Sequence, residues 1–383
     1  MNSLRQTAIR LAAVFLALIP AIGTAPDQQI SFSDEGWQIS GQGGTVEEYL
    51  GYESLRLRSG RAIRRDVRFQ DGTIEFDLAV TPFRSFVYLQ FRMQSDTEYE
   101  EFYFRPHKTR QPDAIQYTPV FKGSSNWQLY HGQGFTAAAE FPPYRWIPVR
   151  VVLSGRRAAV FVGNLTEPQL VVPRLARHPG AGYVALRGFL PQGQPGGVYS
   201  ASYANLTLRP GEVPYDFSKV PLEEERPEGV VAEWRLSETF DPGPGPIREI
   251  PSAQSGQWVT VPSQPSGLVV IDRHLARPQG VRRAAVLARL HIRSEEAATR
   301  QFKMGYSDEV SVFLNGRLLF SGNDGYSFNL PRRQGLIGLD QGTLYLPLQA
   351  GDNELVLAIT DGFGGWGVMG QIEDRAGLEV AAR

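Results

Sequence analysis

The sequence predicts an all-β protein: two β-sandwich (jelly-roll) domains in tandem after a signal peptide. Three observations lead to this prediction. Short runs of residues alternate between apolar and polar with period two, the pattern of a strand with one buried face. Turn dipeptides such as Asp71-Gly72, Ser154-Gly155 and Asn315-Gly316 recur between these runs. Helical periodicity is almost absent, because the best candidate, 295–300, is too short to form a stable helix.

The first 25 residues have the pattern of a secretory signal peptide. Arg5 and Arg10 precede an apolar stretch at 11–22, and the small residues at 21–25 offer cleavage sites. The apolar stretch is too short to span a bilayer comfortably, so an uncleaved membrane anchor is the weaker alternative. We therefore expect a periplasmic or extracellular protein with no membrane contact beyond its signal peptide.

The composition excludes several classes of function. The 383 residues carry a formal net charge of −1, so no basic excess points to nucleic acid as a partner. The chain has no cysteine, which excludes disulfides, a Cys-ligated zinc site and a thiol nucleophile. The five histidines lie far apart, and no Gly-rich turn links a strand to a helix. We predict neither a cofactor nor a metal site, although loop carboxylates and carbonyls could still hold a structural Ca²⁺.

The two predicted domains are separated by a stretch rich in proline and charge that has no periodicity. One set of strands ends before this stretch and a second set begins after it. We place the signal peptide at 1–25, the first sandwich at 26–210, a linker at 211–225 and the second sandwich at 226–383. The sequence predicts no oligomeric state.

The stretch 71–130 holds the candidate site. Its alternation predicts core positions at Ile74, Phe76, Leu89, Phe91, Phe102 and Phe104. The opposite, exposed face is predicted to carry Glu75, Asp77, Gln90, Arg92, Glu101, Tyr103 and Arg105. A face of carboxylates, guanidinium groups and tyrosines is suited to a ligand with many hydroxyl groups. The expected partner is therefore a carbohydrate.

The three carboxylates of this face are the candidate catalytic residues. Among Glu75, Asp77 and Glu101, two could act as acid and base on a glycosidic bond, with Arg92 and Arg105 tuning their pKa values. Gln90, Arg92, Tyr103 and Arg105 would also bind the substrate. The alternative is that these acids and arginines form a ladder of cross-strand ion pairs.

Three further candidates lie in or near loops. His107 could shuttle a proton, because the ordinary pKa of histidine is near neutral; the alternative is a solvated loop residue. Tyr117 and Trp127, with Tyr130, could form a stacking platform for a sugar ring, or they could be buried core aromatics.

The first half resembles the concanavalin A-like lectin/glucanase superfamily, and most closely its 3-keto-disaccharide hydrolase-like branch. The segments that carry the resemblance are Phe69–Asp77, Val87–Arg92, Tyr99–Tyr103, the strand that begins at Trp146, and Ala159–Asn164. The resemblance implies a sandwich fold and glycoside hydrolase-like activity. The chain departs from the laminarinase-type signature Glu-x-Asp-x-x-Glu. Glu75 and Asp77 match the first two acids, but Val80 occupies the third position.

The second half resembles the galactose-binding-like jelly roll. The likeness lies in Ser307–Phe320, which includes the turn Asn315-Gly316, and in Leu346–Leu355 and Gly364–Gly367. The Asn-Gly pair supplies a tight hairpin turn, so it is evidence for the fold and not for a ligand.

Taken together, these patterns predict an exported protein that hydrolyses or binds a glycan through the polar sheet face of the first sandwich. The alternatives are a non-catalytic glycan-binding protein that uses the same face, and a structural partner in a surface assembly. A deep groove across the polar face would favour the enzyme.

Overall fold

The structure is a computed structural model that describes residues 27–221, 225–251, 256–326 and 334–382. The predicted signal peptide lies outside the described residues. Strands dominate the described ranges, and the only helices in them are two 3-10 turns (Pro106–Lys108 and Phe217–Lys219) and α1 (Ile271–His274). The predicted all-β class is confirmed. No helix within these ranges is both long enough and apolar enough to cross a membrane.

The first half contains fourteen strands. In chain order they are β1 (Gln28–Gln29), β2 (Trp37–Tyr49), β3 (Tyr52–Phe69), β4 (Gly72–Ala79), β5 (Phe86–Ser95), β6 (Glu98–Phe104), β7 (Ile115–Phe121), β8 (Ser124–Ser125), β9 (Thr136–Ala137), β10 (Ile147–Ser154), β11 (Arg157–Val162), β12 (Leu170–Val172), β13 (Gly182–Phe189) and β14 (Ala201–Pro210).

The second half contains eleven. They are β15 (Glu233–Leu236), β16 (Val259–Pro262), β17 (Val269–Val270), β18 (Ala284–Ser294), β19 (Ala298–Ser307), β20 (Glu309–Leu314), β21 (Arg317–Asn323), β22 (Gly342–Leu348), β23 (Gly351–Asp361), β24 (Gly367–Gln371) and β25 (Leu378–Ala381).

The first half forms one continuous antiparallel sheet that folds back on itself. Its main path runs β12-β11-β10-β4-β14-β3-β13-β5-β6-β7-β8. Four strands separate β4 from β6 along this path, yet Phe76 of β4 packs against Phe104 of β6 with ring centroids 6.4 Å apart. The sheet is therefore a two-layered sandwich with its core between the layers. All six core positions predicted from residues 71–130 are buried in it.

The second half is built from two sheets. One runs β16-β15-β18-β23-β20-β21, with β25 beside β18, and the other runs β17-β24-β19-β22. Side chains from both sheets belong to a single hydrophobic cluster that includes the fully buried Trp234, Phe302 and Trp366. This half is therefore a second sandwich, built around its own core.

The two halves are joined by side-chain packing and by hydrogen bonds, including backbone bonds between Gln128 and both Gly364 and Ile337, and not by strand pairing. No described strand of the first half pairs with one of the second. However, the hydrophobic cluster of the first half includes Leu268, Val270, Ile337 and Met369 from the second. Across the same boundary, Gln264 donates a hydrogen bond to the Tyr130 hydroxyl at 2.8 Å. A division into separately folding domains at 211–225 stays a prediction.

Candidate functional site

The candidate site lies on the outer face of the layer formed by β3, β13, β5, β6 and β7. Glu101 and Tyr103 alternate along β6 with the core residues Phe102 and Phe104, so they point away from the core. Cross-strand register places partners from the neighbouring strands beside them. We call this surface the tyrosine face and define it as Arg61, Tyr88, Gln90, Tyr99, Glu101, Tyr103 and Arg187.

Glu101 is at the centre of the tyrosine face. Its carboxylate accepts a hydrogen bond from Nε2 of Gln90 on the neighbouring strand, at 2.8 Å. Burial raises the pKa of Glu101, and the positive charges of Arg187 and Arg61 partly oppose that rise. Desolvation thus favours the neutral form of the carboxyl group, whereas the two guanidinium groups favour its charged form.

Arginines lie over the tyrosine rings of this face. The guanidinium carbon of Arg187 is 4.7 Å from the ring centroid of Tyr88, and that of Arg61 is 5.1 Å from the ring of Tyr99. Arg61 also donates a hydrogen bond to the Tyr99 hydroxyl at 3.0 Å. These cation–π contacts fix both the rings and the charges in place.

At the end of β6, Tyr103 and Arg105 share one acceptor. The Tyr103 hydroxyl and a guanidinium nitrogen of Arg105 donate to Oε1 of Gln116, at 2.6 and 2.9 Å. Arg105 also forms an ion pair with Asp113 at 3.2 Å. The Tyr103 hydroxyl and the two terminal guanidinium nitrogens of Arg105 are therefore occupied by neighbours within the protein, whereas Nε of Arg105 is buried without a hydrogen-bond partner.

The structure corrects the predicted exposure of this face. Gln90, Glu101, Tyr103 and Arg105 are each at most 5% exposed. The long side chains of the face pack over one another and cover its polar groups, which an alternating pattern cannot reveal. The most accessible ring at the rim is Phe189, which is 40% exposed and packs against Phe86 with ring centroids 6.0 Å apart. Tyr88, Arg61 and Arg187 are partly exposed.

Arg92 was predicted on the same face as Gln90, and the structure places it on the other side of the sheet. Its φ is +49°, and the pairing of β5 with both β6 and β13 shifts register around it. Such a bulge inserts one residue and reverses which face the following side chains occupy. Arg92 therefore lies toward the core side, where it binds Asp71 at 2.7 Å and the Gly155 carbonyl at 2.8 Å.

Glu75 and Asp77 do not share a face with Glu101. They alternate on β4 with Phe76, which meets Phe104 across the core, so they point outward from the opposite layer. Glu75 forms ion pairs with Arg150, at 2.5 Å, and with Arg209. Asp77 accepts a hydrogen bond from Asn205 at 2.7 Å. For Glu75, the structure supports the alternative of a cross-strand ion-pair ladder.

His107, Tyr117 and Trp127 each lie apart from the tyrosine face. His107 is hydrogen-bonded to the Ser85 carbonyl at 3.0 Å, and burial lowers its pKa to about 4, so it is neutral at physiological pH. Tyr117 is buried in the core and donates a hydrogen bond to Glu100 at 2.5 Å. The Trp127 ring instead packs against two aromatic residues of the second half, Tyr326 and Phe363.

Four residues of the face were missing from the sequence prediction. Tyr88 and Tyr99 have the same alternation as Gln90 and Glu101, so a fuller reading of the pattern would have found them. Arg61 and Arg187 lie on strands remote in sequence from residues 71–130. No local signal links them to Glu101, because only the folded sheet brings their strands together.

The positions around Glu101 hold no second carboxylate. Its neighbours across the strands and along β6 are Gln90, Thr118, Tyr99 and Tyr103, and the diagonal positions include Tyr88, Gln116 and Val120. Among the residues that the structure describes, no group of three or more Asp, Glu, His or Cys could hold a metal ion. The chemistry available here is one carboxyl group, two arginines, amides and aromatic rings.

No protein-family model matches the chain, and no curated protein matches it. Several solved structures are similar to part of it. The carbohydrate-binding module CBM66 from Bacillus subtilis is 13% identical, covering 45% of this chain and 94% of its own, with a TM-score of 0.33. The β-glucanase of Bacillus licheniformis is 11% identical, covering 50% and 100%, with a TM-score of 0.36.

A third similar structure is a prokaryotic β-1,3-1,4-glucanase (lichenase) derived from a mouse hindgut metagenome. It is 13% identical and covers 48% of this chain and 97% of its own, with a TM-score of 0.34. Glucanases and carbohydrate-binding modules are the classes expected from the resemblance of the first half. TM-scores below 0.5 carry no functional argument, and the function of a site depends on its residues.

Proposed function

We propose that this protein binds carbohydrate through the tyrosine face and does not hydrolyse it. The observation that carries the proposal is the single carboxylate, Glu101, set among tyrosine rings, arginines and an amide, with no second acid at the described sheet positions beside it. Of the two activities predicted from the sequence, hydrolysis and binding of a glycan, the proposal favours binding.

Hydrolysis of a glycosidic bond normally requires two carboxyl groups, about 5 to 9.5 Å apart, on either side of the bond. Neighbouring side-chain positions on a sheet lie about 5 Å apart across strands and about 7 Å along a strand. The sheet positions within that range of Glu101 carry amides, a hydroxyl, rings and an aliphatic group. Glu75 is on the far side of a sandwich whose layers are about 10 Å apart.

The rings and guanidinium groups support a carbohydrate ligand. Tyr88, Phe86 and Phe189 are at least partly exposed, and the parts of these rings that their neighbours leave uncovered can pack against the C–H face of a pyranose ring. Arg187 and Arg61 can donate hydrogen bonds to sugar hydroxyl groups beside those rings. The buried pair of Glu101 and Gln90 lies beneath these side chains, and the charge of Glu101 attracts Arg187 and Arg61.

A glycan-array screen of the full-length protein, followed by product analysis on the hits, tests the proposal. We expect capture of at least one glycan without release of new reducing ends. Tyr88→Ala should weaken that binding about fivefold, since one stacked ring contributes about 1 kcal/mol. Tyr345→Ala is the matched control, because Tyr345 is 65% exposed in the second half and should leave binding unchanged.

Two outcomes would contradict the proposal. New reducing ends that appear with wild-type protein and disappear with Glu101→Gln would establish a hydrolase. Capture that is unchanged in Tyr88→Ala but lost in Tyr345→Ala would move the site to the second half.

An exported location belongs to the same proposal. It rests on the signal-like pattern of residues 1–25. N-terminal sequencing of protein from a periplasmic extract should return a start between about residues 22 and 28, and a start at Met1 would contradict export.

A further inference from the structure

A cavity of about 340 Å³ lies where α1 of the second half meets the edge of the first sandwich. The first half supplies Arg92 from β5, Glu98 and Glu100 from β6, and Arg177 from the segment before β13. The second half supplies Arg273 of α1. This cavity belongs to neither the tyrosine face nor its rim.

Arg273 is held at the cavity by a contact between the two halves. The ammonium group of Lys122, just beyond β7, donates hydrogen bonds to the carbonyl oxygens of Asp272 and Arg273, at 2.9 and 2.8 Å. The guanidinium of Arg273 lies 5.8 Å from the ring centroid of Phe121, which also lines the cavity. Its backbone is therefore fixed by these hydrogen bonds, while its exposed side chain lies beside the Phe121 ring.

The positive charges of the cavity are only partly compensated. Arg92 forms ion pairs with Asp71 at 2.7 Å and with Glu100 at 3.6 Å, and Arg177 forms one with Glu98 at 2.6 Å. No carboxylate among the described residues lies within ion-pair distance of Arg273. One guanidinium group of this cavity thus has no anionic partner in the described part of the chain.

A buried donor of the cavity also lacks a partner. Arg92 is 2% exposed, and its NH1 nitrogen has no hydrogen bond to any described residue. The acid that faces this nitrogen is Glu100, which forms a long ion pair with it at 3.6 Å, and burial raises the pKa of Glu100. The contact with Glu100 is too long for a hydrogen bond, so an oxyanion brought by a ligand would give this guanidinium group an acceptor that it lacks.

More arginines extend the positive field beyond the cavity. Arg156 has a lowered pKa because of burial and the nearby positive charges of Arg174 and Arg273. Neither Arg156 nor Arg174 forms an ion pair with a described carboxylate. The net charge of the whole chain is −1, so this local excess is specific to one region.

We propose that this cavity binds an oxyanion, a carboxylate or sulfate group, between Arg273 and the guanidinium group of Arg92. Guanidinium groups bind such oxyanions through paired charge-assisted hydrogen bonds. The oxyanion can come from an acidic saccharide or from a free ion. The proposal does not depend on the tyrosine face, because the two sites share no residue.

Calorimetric titration of the full-length protein with inorganic sulfate, at constant ionic strength set by chloride, tests the site. We expect saturable one-site binding that weakens at least tenfold in Arg273→Gln and is largely restored in Arg273→Lys. Arg317→Gln is the matched control, because Arg317 is an exposed arginine of the second half, and it should bind sulfate as the wild type does. Thermal unfolding of each variant checks that the fold is intact.

A second arm identifies the source of the oxyanion. Titration with a uronic-acid trisaccharide and with its neutral, carboxyl-reduced counterpart should give binding only for the acidic form if a saccharide is the natural ligand. Binding of sulfate without binding of the uronate would show that the natural ligand is a free ion and not a saccharide. The proposal is overturned if wild-type protein binds neither sulfate nor the uronate, or if Arg273→Gln binds both as tightly as the wild type.

Discussion

Gln90 and Glu101 lie opposite each other on neighbouring strands, and the buried amide of one donates a hydrogen bond to the buried carboxyl of the other at 2.8 Å. The pair supports the tyrosine face from below. Its loss should therefore be visible in the stability of the protein as well as in binding.

Glu101→Ala should lower the free energy of unfolding by about 1 to 3 kcal/mol, because it leaves the Gln90 amide buried without its acceptor. Glu101→Gln should cost less, since its carboxamide oxygen can accept the same hydrogen bond. Denaturant unfolding of both variants checks this order. Equal stability of Glu101→Ala and wild type would show that the pair contributes nothing to the fold.

The stability should depend on pH through Glu100. Burial raises the pKa of Glu100 above its ordinary value of 4.5, so the folded protein holds this proton more tightly than the unfolded chain does. The contribution of Glu100 to stability is therefore greatest below about pH 4.5, and it falls as pH rises from there toward the folded pKa. Glu100→Gln should reduce that fall, as measured by unfolding at a series of pH values. A pH profile identical to that of the wild type would contradict this assignment.

Glu75 should show the opposite pH dependence. Burial raises its pKa, but hydrogen bonds from Arg209 and Arg150 outweigh burial and leave the pKa below 4.5. Its contribution is present above pH 4.5 and is lost as pH falls through the folded pKa. Glu75→Gln should destabilise the protein by about 1 kcal/mol at pH 7 and by less under acid conditions. A loss of stability that grows toward low pH would have the wrong sign.

The contact between the halves should depend on Gly364. A methyl group at Gly364, where φ is +94°, would lie 2.3 Å from Oε1 of Gln128 and 2.7 Å from the indole nitrogen of Trp127. Gly351 has a similar φ of +91° but no neighbour within 4 Å of the same position. Both alanine variants share a backbone cost of about 1 to 2 kcal/mol. Gly364→Ala should lose a further 1 to 3 kcal/mol through steric overlap.

Thermal unfolding of the two alanine variants provides the measurement. The difference between them isolates the packing of the second half against the first. Equal melting temperatures of the two variants would mean that the side chains around Gln128 move aside without any loss of stability.

Local alternation was sufficient to predict which residues of β5 and β6 enter the core, since Leu89, Phe102 and Phe104 are all buried. The alternating pattern failed at Arg92, because one extra residue in a strand moves every following side chain to the opposite face. The sequence contains no signal for that extra residue. Glu75 shows a different limit. A period of two tells which side of a strand faces the core, but not which layer of the sandwich holds that strand.

The charged partners of the face were harder still to predict. The charges of Arg61 and Arg187 act on Glu101 only because the strands lie in the order β3-β13-β5-β6. This order is non-local and is set by the whole sheet. His107 was a plausible proton carrier by its type and its loop position. Its burial and its hydrogen bond to a carbonyl could be known only from the fold.

Ile337 and Met369 lie in the hydrophobic cluster of the first sandwich although they are contributed from far along the chain. The last strand of the first sandwich ends at Pro210, which is 159 residues before Met369, so a chain that emerges from its N-terminus presents this strand well before Met369. During that interval the first sandwich has an apolar patch without its cover. The hydrophobic cluster of the first half is therefore complete only after residues of the second half have packed against it.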